Sequence, residues 1–230
     1  MALINTVEPS PDANDGVLTR NPERIGNRRW GTKVFLSGTE QPIEISIAGQ
    51  QFDLTLLSSQ GRVFYASDAD QNDAILGQTS FANTTPTFLL SVPSGTTGIP
   101  MMMSLSQSGT VAGGDIDVIM EFDDVDRWST GGTTETKFAS RSDNPLGGGL
   151  CTLRTGATAT AGYGVRAAGW HVAPDVSPAE GVINEIFWTP TGALDFLVGP
   201  ASWAIYTYAG ATGPTWLWTL KWAEIPTSEL

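Results

Sequence analysis

Apolar and polar residues alternate with period two along several stretches of this chain, the signature of β-strands with one buried face. Ile43, Ile45 and Ile47 alternate with Glu44 and Ser46. After Gly49-Gln50, Phe52, Leu54 and Leu56 alternate with Asp53 and Thr55, so residues 43–56 read as a hairpin with one wet face. The clearest strand runs from Asp115 to Phe122, with Ile116, Val118, Met120 and Phe122 on one side and Asp115, Asp117 and Glu121 on the other. Short strands are predicted at 62–65 and at 87–92, the latter ended by Pro93-Ser94-Gly95. Further strands are predicted at 150–155, 165–172, 182–189, 193–198, 203–208 and 215–222, most of them separated by glycine or proline. The longest loops fall at 66–85 and 123–133. About a dozen short strands with this punctuation indicate a sandwich, barrel or jelly roll. No repeat of fixed period suggests a propeller or solenoid.

Residues 1–31 break the pattern. The run Glu8-Pro9-Ser10-Pro11-Asp12-Ala13-Asn14-Asp15-Gly16 is rich in prolines, acids and turn formers, and no periodic apolar face follows until Val34. It reads as an extended N-terminal arm whose ordering waits on a neighbour. Residues 32–230 read as a single sandwich domain, with the glycines at 147–149 the one place where a subdivision could fall.

Composition sharpens this picture. Charged residues make up only 16% of the 230, so the polar surface must come largely from Thr, Ser, Asn, Gln and Gly. Such neutral surfaces suit sheets that face other protein. The formal charge is −12, yet Arg20, Arg24, Arg28, Arg29 and Lys33 crowd together with only Glu23 against them. The acidic remainder repels phosphate backbones and anionic membranes, so neither nucleic acid nor membrane is expected as a partner. Arg24, Arg28, Arg29 and Trp30 could anchor the arm to an acidic neighbour, or could simply be solvated. No run approaches the ~20 apolar residues of a membrane span. The first residues lack the basic and apolar regions of a signal peptide, so the chain is expected to be made in a cytosol without secretion.

Candidate chemistry is sparse. His171 is the single histidine and Cys151 the single cysteine, and no Gly-x-Ser-x-Gly elbow, phosphate loop or dinucleotide fingerprint occurs. His171 reads as structural or surface, and Cys151 as a small buried hydrophobe. No catalysis and no cofactor are expected. Two acidic clusters offer oxygen ligands for Ca²⁺: Asp68, Asp70 and Asp73, then Asp123, Asp124 and Asp126. The first opens like an EF-hand loop, but Asp73 stands where that loop needs glycine and Thr79 where it needs glutamate. Neither cluster is expected to hold a tight ion, because polar loops collect aspartate for their turns. Trp216, Trp218 and Trp222 share one face of a predicted strand. They could form a sugar-stacking platform, an intersubunit seam or part of the core.

Taken together, the signal-free start, the proline-rich arm with its basic end, the Thr/Gly-rich many-stranded body and the acidic balance resemble the jelly-roll capsid, cement and decoration proteins of viruses and tailed phages. That resemblance implies an all-β, jelly-roll-like antiparallel sandwich with an extended N-terminal arm. It further implies a non-enzymatic virion protein that packs against copies of itself, as trimers, and against a capsid shell protein. The alternative is a carbohydrate-binding β-sandwich module, for example on a phage fibre, that uses the tryptophan face.

Overall fold

The computed structural model describes residues 35–36, 39–40, 54–68, 74–108, 115–143, 148–172, 184–191, 194–210 and 213–230. The chain divides into two compact units, residues 1–54 and 55–230. In the first, β1 (Phe35–Leu36) and β2 (Thr39–Glu40) pair antiparallel. The hairpin expected at 43–56 lies mostly outside the described residues, and where it enters them it is corrected: Leu54–Ser59 is a helix, α1. A C-terminal cap explains why. Gly61, at φ 73°, takes the left-handed conformation open to glycine. Its N–H bonds the Ser58 carbonyl at 3.0 Å and the Arg62 N–H bonds that of Leu57 at 2.9 Å, the paired bonds of a Schellman motif.

The second unit is nearly all strand. In chain order it contains β3 (Val63–Ser67), β4 (Ile75–Leu76), β5 (Phe88–Val92), β6 (Thr96–Gln107), β7 (Ile116–Asp123), β8 (Trp128–Thr130), β9 (Thr133–Thr134) and β10 (Phe138–Ala139). There follow β11 (Thr152–Thr155), β12 (Thr158–Ala159), β13 (Val165–Val172), β14 (Glu185–Trp188), β15 (Leu197–Val198), β16 (Ala201–Ala209) and β17 (Thr215–Pro226). One sheet runs β9-β11-β5-β16-β7-β13. The other runs β10-β3-β17-β6-β14, with β4 also on β17 and β15 also on β6. Every pairing between these strands is antiparallel, and the two sheets pack as a sandwich, as the alternation predicts. Strands from before and after 147–149 share both sheets, so that joint does not separate domains.

The pairing has a simple logic. Eight strands carry most of the two sheets: β3, β5, β6, β7, β13, β14, β16 and β17. The first pairs the last, the second the seventh, the third the sixth and the fourth the fifth. That is one long antiparallel ribbon with four rungs. The ribbon is then wrapped, so that β17 also meets β6 and β16 also meets β7.

Inward residues from both sheets form one apolar core, including Phe88, Leu90, Val92, Met103, Leu105, Ile116, Val118 and Met120. Each fully buried side chain of this size contributes about 1.5–3 kcal/mol of hydrophobic stabilisation. The longest strands, β6 and β17, lie side by side in the middle of their sheet. The sequence reading missed β6 because Gly98 and Pro100 interrupt it. Pro100 is tolerated because the register slips there: Lys221 faces Met102 while Trp222 faces Pro100, leaving Met101 as the extra residue of a bulge.

The six-stranded sheet is covered on its outer side as well. Leu89, Ile119, Ala157, Ala204 and Tyr206 form a second apolar cluster, with Phe81 and Tyr208 packed against it. The expected loop at 123–133 supplies β8, which pairs β12 within this cover. Arg127 is buried there; it donates from Nε to Asp123 at 2.6 Å and from Nη1 to the Thr160 carbonyl at 2.7 Å.

Candidate functional site

The tryptophan face is in the interior. Trp216 and Trp222 are 0% exposed and Trp218 4% exposed, within a single copy of the chain. Trp222 packs on Phe64 with ring centroids 6.3 Å apart, and Trp218 on Phe88 at 5.1 Å. The sugar-platform and intersubunit-seam readings of these three residues are therefore corrected to core. Alternation establishes which side chains share a face, but it does not say whether that face looks in or out.

The other predicted positions are scattered. Arg24, Arg28, Arg29 and Trp30 lie outside the described residues, as do Asp70 and Asp73. The Asp68 carboxyl accepts the backbone N–H of Trp218 at 3.0 Å. Asp123 is paired with Arg127. Asp126 accepts the Trp128 N–H at 3.0 Å and the Ser91 hydroxyl at 2.8 Å, while Asp124 is exposed. These carboxylates brace turns and strand ends. Among the described residues, no three His, Cys, Asp or Glu side chains gather as a metal site.

Cys151 is buried in the core, and burial, reinforced by the nearby Glu224 carboxyl, pushes its thiol well above the ordinary range. A thiol held protonated in this way is a poor nucleophile. Glu224 itself is nearly buried. Its Oε2 accepts the backbone N–H groups of Leu150 and of Cys151, the latter at 3.0 Å, and its Oε1 accepts the Trp222 indole N–H at 2.9 Å. The group fastens the start of β11, in the six-stranded sheet, to β17 in the other. It borders a cleft of about 330 Å³ lined in part by Arg62, Phe64, Gly149 and Glu224. A Cβ at Gly149 would stand 2.6 Å from Glu224 Oε1 and 2.9 Å from the Phe64 ring, so only glycine lets the chain pass here. Arg62, also on the cleft, pairs with Glu229, and that bond holds the Glu229 carboxyl below its usual range. Arg62 and Glu224 are thus engaged in holding neighbouring segments of the chain.

His171 sits on the outer side of β13, an edge strand, between two carboxylates. Nδ1 lies 2.8 Å from Asp117 Oδ1 and Nε2 lies 3.3 Å from Asp115 Oδ2. The Asp117 hydrogen bond, aided by both negative charges, raises the imidazole above its ordinary value of 6.5. A group whose folded pKa is raised stabilises the fold below its unfolded pKa, and loses that contribution as pH climbs through the folded value. His171→Asn is therefore expected to lower the melting temperature at about pH 5 and to leave it unchanged at about pH 9. Paired melting curves at the two pH values check this; an equal loss at both would mean that charge plays no part.

The outer face of the seven-stranded sheet is different in kind. Reading across paired positions, which share a face, one row holds Phe138, Tyr65, Lys221 and Met102. The next holds Ser67, Thr219, Ser104 and Phe187, and a third holds Leu217, Ser106 and Glu185. The Phe138 and Tyr65 rings touch, with centroids 5.8 Å apart. Phe187 is 63% exposed, and Leu76, at the sheet's corner, equally so. Eleven positions in three rows thus carry one cation, one carboxylate and otherwise hydroxyls and apolar side chains. On a chain of formal charge −12 this is a neutral, partly apolar plane.

Comparison with known proteins adds no likeness. No family model, curated protein or solved structure matches the chain.

Proposed function

We propose that the sandwich is a jelly roll and that the chain is a non-enzymatic structural protein of a virion, a coat, cement or decoration subunit. The observation that carries this reading is the four-rung ribbon. First with last, second with seventh, third with sixth and fourth with fifth is what an eight-stranded double Greek key gives when a long hairpin is rolled into two sheets, and viral capsid domains are built on that plan. Residue chemistry supports it: His171 is clamped by carboxylates, Cys151 is held protonated, and the outer face of the seven-stranded sheet is neutral. With Trp216, Trp218 and Trp222 buried, no observation favours the carbohydrate-binding alternative.

On this reading the partners are copies of the chain and a shell protein. Residues 1–31 act as an arm that engages a neighbour through Arg24, Arg28, Arg29 and Trp30, meeting acidic surface in a contact that salt weakens. The acidic body keeps away from packaged nucleic acid and favours an outer position. The test is electron microscopy of native particles labelled with antibody to the chain. Labelled particle surfaces are the expected result; unlabelled particles with all antigen in the free-protein fraction would sink the proposal. In the full chain, Arg28→Glu with Arg29→Glu is expected to weaken association at low salt without lowering the melting temperature of the body.

A further inference from the structure

Resting on the assembly reading, we infer that the outer face of the seven-stranded sheet is the surface on which a second copy of this chain docks, across a two-fold axis. Its composition is that of an interface centre: aromatic and Met side chains among hydroxyls, with charge depleted. The partner is identified by the placement of the two charges the face does carry. Lys221 lies on β17 and Glu185 on β14, two strands apart with β6 between them. Lys221 faces Met102 and Glu185 faces Ser106, so they also stand four residues apart along β6. By strand geometry the offset is about 10 Å across and about 13 Å along, with Ser104 midway.

A two-fold axis lying in the face near Ser104, perpendicular to the Lys221–Glu185 diagonal, brings Lys221 of each copy onto Glu185 of the other. The face is thus self-complementary, as an isologous contact requires. Neither residue has an ion-pair partner among the described residues. The chain as a whole repels its copies, being strongly acidic. Docking therefore needs a surface where that repulsion is absent, and this face supplies one with two matched pairs across it. Phe187, next to Glu185, Leu217, across Ser106 from it, and Tyr65, beside Lys221, would be covered when the pairs form.

The experiment is sedimentation of the full chain and its charge variants, with circular dichroism melts to confirm that each variant is folded. The wild-type chain is expected to sediment with an even number of copies. Lys221→Glu alone, or Glu185→Lys alone, sets like charges against each other and is expected to weaken the two-fold contact at least about tenfold, halving the mass at moderate concentration. The double variant Lys221→Glu/Glu185→Lys restores opposite charges across the axis and should restore the mass. Rescue by the double swap supports the proposal, since a merely structural role for either residue predicts no rescue. A wild-type chain that associates, but whose mass neither single variant changes, overturns this interface and leaves the assembly reading standing. A wild-type chain that stays monomeric at every concentration, with native particles unlabelled, overturns both.

Discussion

Glu224→Ala is expected to lower the unfolding free energy by about 4 kcal/mol, because it strips the partner from three donors at once. The backbone N–H groups of Leu150 and Cys151 and the indole N–H of Trp222 all end on this one carboxyl. An orphaned buried donor costs about 1–3 kcal/mol. The loss stays near the lower end of the summed range because the adjoining cleft lets water reach the vacated space. Glu224→Gln separates hydrogen bonding from shape. Its amide oxygen can still receive the two backbone donors, but its NH₂ then confronts the Trp222 indole N–H, so a loss of about 2 kcal/mol is expected. Urea unfolding with an unchanged slope against denaturant is the measurement. Should Glu224→Ala cost less than about 1 kcal/mol, the fastening role described for this group is wrong.

The second large effect concerns Trp203, 1% exposed between Phe122 and Trp188, with ring centroids 6.4 and 5.9 Å away. Trp203→Ala removes a whole indole from between the sheets and is expected to cost about 4 kcal/mol, transfer and cavity terms together. Trp203→Phe behaves differently. The indole N–H of Trp203 is buried without a hydrogen-bond partner, so the swap removes an unsatisfied donor while it keeps an aromatic ring. A loss of about 1 kcal/mol is expected. Trp222→Phe, which leaves Glu224 Oε1 without its indole donor, should cost about 2–3 kcal/mol. Equal losses for the two Trp→Phe variants would show that ring volume alone matters and that the donor argument fails.

These residues also show how far the sequence could be read. Strand positions with strict alternation, such as Ile116, Val118 and Met120, were legible because each step of the pattern falls on one side of the sheet. Period two fails where another device decides the backbone. At Leu54–Ser59 the alternation of Phe52, Leu54 and Leu56 imitates a strand, but Gly61 closes a helical turn. Along β6 the glycine and proline read as punctuation, and only the bulge beside Lys221 reconciles Pro100 with a ladder. Among the described residues of the predicted strand at 193–198, only Leu197–Val198 are strand. The candidate interface was not legible at all. Ser104, Ser106 and Thr219 are unremarkable one at a time, and Phe187, Leu217, Tyr65 and Phe138 lie far apart in sequence. Only the register of five strands sets them on one plane.

The ribbon wiring also dictates an order of events during synthesis. Phe122 and Val165, paired at the closed end of the ribbon, are separated by far less chain than Val63 and Ala223 at its open end. Loop-closure entropy makes the first pairing fast and the last slow. Moreover, the late strand does not add to an edge: β17 inserts between β3 and β6, in the middle of its sheet. Until it emerges from the ribosome, the facing edges of β3 and β6 stand open, each able to pair with another nascent chain. A molecule wired this way gains from a slow start or a chaperone at its first half, and any truncation that removes β17 leaves a sheet split in two rather than a sheet one strand short.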